Sequence, residues 1–245
     1  MIELFARAKN DLYSRGARFS CEEACPRHGC KGDLLVSGGL FEILAQGRIL
    51  NRSMAELLRG AYRLSPFADA GLAEVRIRFT LRKPCAFLEN DRTCSIYEAR
   101  PAECALFPEY LGLVRETERR EYCERTGVGD YPCVTEAALS LSAEREEAIR
   151  RLQLIHRKEV MATEICLFGR AGFSVDLRQD VAAVSDTANA IIPYGKIEEA
   201  LEGFLARTGL HNTIMERLAV LEKEAYMESF FSALSIAEAL MEASL

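Results

Sequence analysis

Residues 74–85 read Glu74-Val-Arg-Ile-Arg-Phe-Thr-Leu-Arg-Lys-Pro-Cys85. Val75, Ile77, Phe79 and Leu81 alternate with Arg76, Arg78, Thr80 and Arg82, the period-two pattern of a half-buried strand, predicted here over 73–82 with one apolar and one basic face. The strand hands the chain directly to Cys85, so a thiol stands at the end of a rigid element. Further on, Pro101 suits the first turn of a short helix to Phe107, which Pro108 stops.

Working outward, residues 1–20 read as a helix and connector, and Cys21 to Asp33 as a loop punctuated by Pro26, Gly29 and Gly32. Leu34 to Val36 is a short strand candidate, and Leu40 to Gln46 a short helix closed by Gly47. The Ser53-x-x-Glu56 spacing of a capping box opens a helix to about Leu64. Beyond about Thr135 the pattern turns helical: Ala143 to Phe168 stopped by Gly169, Asp176 to Ala190, Lys196 to Arg207 before Gly209, and a helix opened by Thr213-x-x-Glu216. The expected fold is α+β: a small cysteine-rich metal-binding domain with few short strands over residues 1–135, then an acidic, mainly α-helical region over 136–245.

Of the 245 residues 49% are hydrophobic and 28% charged, the profile of an ordinary globular protein. No apolar run approaches the roughly 18–20 residues of a membrane span. The first ten residues mix charges into an amphipathic stretch without the apolar core of a secretory signal, which leads to the expectation of a cytoplasmic protein. In that compartment nine cysteines suggest metal ligands or reactive thiols before disulfides. All but Cys166 lie before residue 136. That half carries 20 Lys+Arg against 19 Asp+Glu, and the rest 11 against 18, so the net charge of −6 belongs to the helical half.

The cysteines fall into groups: Cys21-x3-Cys25-x4-Cys30 in the first loop, Cys85-x8-Cys94-x9-Cys104 after the strand, then Cys123. Thiolates are soft ligands that select zinc or iron–sulfur clusters, each needing about four. One free cysteine is more often a small core residue. Three in a polar ten-residue loop have little apolar surface to bury against, and there ligation is the better reading. His28, inside the loop, is either a nitrogen ligand or an exposed loop histidine. Cys133 and Cys166 read as core cysteines, and His156 and His211, isolated on helical segments, receive no role.

The stretch from Pro84 to Pro108 carries a resemblance. Cys85, Phe87 and Leu88, then Cys94-Ser-Ile-Tyr97, then Arg100-Pro-Ala-Glu-Cys104 and Phe107-Pro108 resemble the signature of the YkgJ-type cysteine-cluster proteins, the zinc- or iron-chelating CxxCxxCC domain family. Cys123 to Gly129 is similar to a later Cys-Pro-Gly element of that family, with Glu124 in place of the proline, and the resemblance covers about residues 18–130. The first group departs from the family's C-x2-C-x2-C-C, with one ligand fewer and wider spacing.

The resemblance implies metal binding, with Cys21, Cys25, Cys30, Cys85, Cys94, Cys104 and Cys123 as candidate ligands. Seven thiolates exceed one tetrahedral zinc site, which favours an iron–sulfur cluster of the 4Fe–4S type, zinc being the alternative. Arg82, Lys83, Arg92 and Arg100 could offset the charge of an anionic centre, while Phe87, Leu88, Ile96, Tyr97 and Phe107 could shield it from water. The family also looks related to flagellin lysine methylases, but no residue set outside the cysteine motif marks a reaction. A radical S-adenosylmethionine reading fails because the third cysteine of the first group comes two residues late. No phosphate-binding loop is present, and the net negative charge argues against nucleic acid. Two functions remain: a metal-cluster protein with redox or protein-modifying chemistry on a protein partner or substrate, or a structural zinc module for interaction.

Overall fold

The computed structural model describes residues 27–32, 34–67, 74–90, 93–185 and 192–221. The expected first helix, Cys21, Cys25 and Arg92 lie outside the described residues. The architecture is α+β, with many helices, a three-stranded sheet and a two-stranded sheet. The chain packs as two compact units, each assembled from two separate stretches: residues 1–53 with 81–157, and 54–80 with 158–245. Packing thus divides the chain differently from charge and cysteine content, which change near residue 136.

In the first unit, α1 (His28–Lys31) is a single turn that interrupts the expected loop. The expected strand over Leu34–Val36 does not form; the stretch makes only a local bridge, Leu81 N–H donating to Val36 O at 2.9 Å. Helix α2 (Leu40–Leu50) runs past Gly47 and ends at Asn51 in the left-handed region. Its first eight residues are all buried, and contacts on every side outweigh the roughly 1 kcal/mol helix penalty of one glycine.

The second stretch of this unit contains the cysteine motif. Strands β3 (Leu88–Glu89) and β4 (Thr93–Cys94) pair antiparallel, and α4 (Ala102–Leu106) follows Pro101 as the sequence predicts. After Pro108 come a 3-10 turn (Glu109–Leu113), α5 (Glu116–Thr126), α6 (Glu136–Leu139) and the first half of α7 (Ala143–Phe168). The peptides before Pro84 and Pro108 are cis. Ala102, Ala105 and Leu106 of α4 pack on Ile149 and Leu152 of α7. Beside them Arg145 and Glu109, 2% and 3% exposed, form a two-pronged ion pair with N···O distances of 2.6 and 3.2 Å. A Cβ on Gly112 would stand 2.4 Å from Leu139 O, so only glycine lets the 3-10 turn lie this close to α6.

In the second unit, the helix opened at Ser53 is short. α3 (Met54–Gly60) ends at its glycine, and β1 (Tyr62–Phe67) occupies what the periodicity assigns to the helix. Pairing decides the difference: β1 lies beside β2 (Glu74–Leu81), and the Ser65 and Thr80 hydroxyls meet at 2.6 Å. The strand expected over 73–82 is β2, with Val75, Ile77 and Phe79 buried and Arg76 and Arg78 half-buried. Arg76 pairs with the buried Glu164, and Arg78 lies 3.6 Å over the Phe67 ring.

The helix expected from Asp176 begins later, because β5 (Ser174–Asp176) adds antiparallel to β2 with Val75 opposite Val175. Helix α8 (Arg178–Val184) follows. Helix α9 (Tyr194–Thr208) stops at Gly209 with φ 66°, and α10 (Leu210–Leu221) starts before Thr213, whose N–H bonds the Gly209 carbonyl rather than opening a new helix. Val75, Ile77, Val175, Leu177, Val181, Ile197, Ala200 and Leu201 make the core of this unit. Among the described residues no helix is long and apolar enough to cross a membrane.

Candidate metal centre

Cys30 sits on α1, which Arg27 enters through a left-handed conformation, φ 60°. The Cys30 carbonyl accepts the Cys85 N–H at 2.8 Å, so the chain leaving β2 runs alongside the first cysteine loop. Lys83 clamps the same junction, its Nζ donating to Gly29 O at 2.5 Å. Two segments 54 residues apart are thus joined by main-chain and ammonium hydrogen bonds.

Cys94 is carried by the β3–β4 hairpin, opposite Leu88. Asn90 has φ 48° at the tip, and Ser95 bonds the Phe87 carbonyl through both N–H (2.9 Å) and hydroxyl (3.2 Å). Phe87 and Ile96 are 2% and 1% exposed and anchor the hairpin in the core. Cys104 comes from α4. Tyr97, expected in a dry shell, is exposed at 40%; it serves instead as the platform for Arg100, whose guanidinium lies 4.3 Å over the ring.

Two of the thiols respond to their neighbours. Burial pushes the Cys94 thiol up to about 11; the Ile96 backbone N–H opposes this, Cys85 and Cys30 raise it further, and Arg100 lowers it. Burial also holds the Cys104 thiol well above the ordinary range, with Lys83 opposing and Cys85, Cys30 and Cys94 adding. Cys30 and Cys85 thus act on both Cys94 and Cys104, and two of the four expected cations oppose them, Arg100 at Cys94 and Lys83 at Cys104. Without a cation the Cys94 and Cys104 thiols keep their protons. A bound metal removes the proton from a coordinating thiol outright, and partly buried soft donors suit a thiophilic metal.

The other candidates stand differently. Cys21 and Cys25 precede the described residues. Cys123 lies on α5, facing Gly129, where a Cβ would stand 3.1 Å from its own, and its charge acts on Tyr110. Tyr110 in turn donates to the Tyr122 hydroxyl at 3.4 Å, and burial raises its phenol far above the usual range. His28 is exposed and stacks on Tyr131, ring centroids 5.2 Å apart. Cys133 and Cys166 are both half-buried, and burial alone raises Cys166 to about 11.

Tyr131 was not singled out by the sequence. Its ring packs edge-on to Phe107, and its hydroxyl oxygen is 2.9 Å from where a Gly32 Cβ would be, so it roofs the Cys30 loop. Glu42 and His156 were missed as well: His156, read as an isolated helical histidine, faces two carboxylates, Glu42 and Glu103. No local spacing signals either feature.

Comparison of the chain with curated proteins and with solved structures found no match. Comparison with protein families matched residues 20–126 to CxxCxxCC, described as "Putative zinc- or iron-chelating domain". The matched residues include all seven candidate ligands. Residues 20–126 thus match the model of the family that the stretch from Cys85 to Pro108 resembles.

Proposed function

We propose that Cys30, Cys85, Cys94 and Cys104 hold an iron–sulfur cluster of the 4Fe–4S type, serving a redox or protein-modifying role in the cytoplasm. The observation behind this reading is that Cys30 and Cys85, from a loop helix and the segment after a strand, both act on Cys94 of the hairpin and Cys104 of the short helix. Four is the ligand number of such a cluster, and Cys21, Cys25 and Cys123 leave thiols in reserve for exchange or a second centre. The cluster would supply one-electron chemistry. The chain supplies its environment: Lys83 and Arg100 reduce the cost of concentrating thiolate charge, and Phe87 and Ile96 wall off water.

A second reading is favoured by the same count, since four thiolates also complete a closed structural zinc site. In that case the domain is an interaction module without catalysis. Metal and sulfide analysis of protein purified without oxygen separates the two. The cluster predicts a brown protein with iron and acid-labile sulfide in equal amounts. A colourless preparation with one zinc per chain and no iron overturns it and establishes the zinc reading.

A further inference from the structure

Glu42 and His156 lie outside the thiol set and have no part in the function proposed above. Glu42 is 3% exposed, and two backbone amides fix its carboxylate: Gly39 N–H donates to Oε2 at 3.1 Å and Ala102 N–H to Oε1 at 2.9 Å. These amides open α2 and α4, so the carboxylate is set by two helix starts. His156, from α7, places Nδ1 3.8 Å from Glu42 Oε1 and Nε2 3.8 Å from Glu103 Oε1. Glu103 is itself held by the Ser37 N–H at 2.7 Å. The His156 Nδ1 atom is buried and has no hydrogen-bond partner among the described residues, and 3.8 Å is beyond hydrogen-bonding reach of Glu42.

We infer that Glu42 Oε1 and His156 Nδ1 are ligands of a second metal site, for a divalent transition ion such as Zn²⁺, Mn²⁺ or Fe²⁺. Ligand bonds of about 2.1 Å place a nitrogen and an oxygen about 3.4 Å apart at a tetrahedral angle, so an ion would close the present gap by a few tenths of an ångström. An imidazole nitrogen together with a carboxylate oxygen suits ions of this class. Glu103, facing Nε2, favours the proton on that nitrogen and turns the Nδ1 lone pair towards Glu42, the outer carboxylate of a carboxylate–histidine–metal relay. The site does not depend on what the cysteines bind.

The test titrates metal-free full chain with Co²⁺, counts bound metal after desalting, and records absorption. Thiolate-bound cobalt gives intense charge-transfer bands that an oxygen and nitrogen site lacks, so the two centres are read separately. The wild type is expected to bind one more equivalent than His156→Gln with equal thiolate bands in both, and Glu103→Gln to weaken that equivalent about 10–100-fold. Because the chain has only three histidines, ¹⁵N spectra of the wild type with Zn²⁺ provide a readout without mutation. Expected is a metal shift at His156 Nδ1 with the proton on Nε2. Equal uptake by wild type and His156→Gln, or a His156 ring protonated on both nitrogens in the presence of zinc, overturns the site and leaves an imidazolium paired with Glu42 and Glu103.

Discussion

At the residue scale the four thiols differ in what surrounds them, and the difference is testable. Cys94 and Cys104 are raised by burial and by neighbouring thiols, whereas Cys166 is raised by burial alone. Cys94→Ala and Cys104→Ala are each expected to lose metal and stability, and Cys166→Ala to keep its metal, as measured by elemental analysis and thermal melting. Full metal content in the first two variants would remove them from the ligand set. The Arg145–Glu109 pair is a second residue-scale case, because both partners are almost wholly buried. Glu109→Ala leaves an uncompensated buried guanidinium and is expected to cost about 3–5 kcal/mol in urea unfolding; a loss below about 1 kcal/mol would show that water reaches the pair.

At the element scale the hairpin β3–β4 carries a pH dependence. In the unfolded chain the Cys94 thiol ionises near 9.0, and in the folded metal-free protein near 11. The folded form therefore retains a proton that the unfolded form has released. Its contribution to stability is complete below about pH 9 and is lost as the pH rises through about 11. Urea midpoints of metal-free protein should fall across this window, with a shallower fall in Cys94→Ala. Equal slopes would locate the effect elsewhere. The contact between the 3-10 turn at 109–113 and α6 gives another element-scale expectation. Gly112→Ala drives a methyl into the Leu139 carbonyl and should cost about 1–3 kcal/mol, read as a lowered midpoint.

At the scale of the whole molecule, the two compact units each bring together distant stretches of chain. Cys30, Cys85, Cys94 and Cys104 belong to the first unit, and the β1–β2–β5 sheet with α8 and α9 to the second. Metal removal is thus expected to speed amide hydrogen exchange around Cys30, Cys85, Cys94 and Cys104 while leaving the Val75 and Val175 amides protected. Equal loss of protection in both units would mean that they unfold as one.

Local chemistry made much of this protein legible in its sequence. Alternation at Val75 to Leu81 predicts β2, Gly169 and Gly209 predict the ends of α7 and α9, and the spacing from Cys85 to Pro108 leads to the CxxCxxCC family, because each depends on neighbours within a turn or two. Partners distant in the chain decided the rest. The residues Tyr62 to Phe67 follow a helical start yet become β1, since pairing with β2 satisfies their backbone and buries Tyr62. Cys30 meets Cys85 through a main-chain hydrogen bond that no motif encodes. His156 has no local pattern at all. Its carboxylate neighbours come from α2 and α4, so only the tertiary structure places its buried nitrogen opposite Glu42.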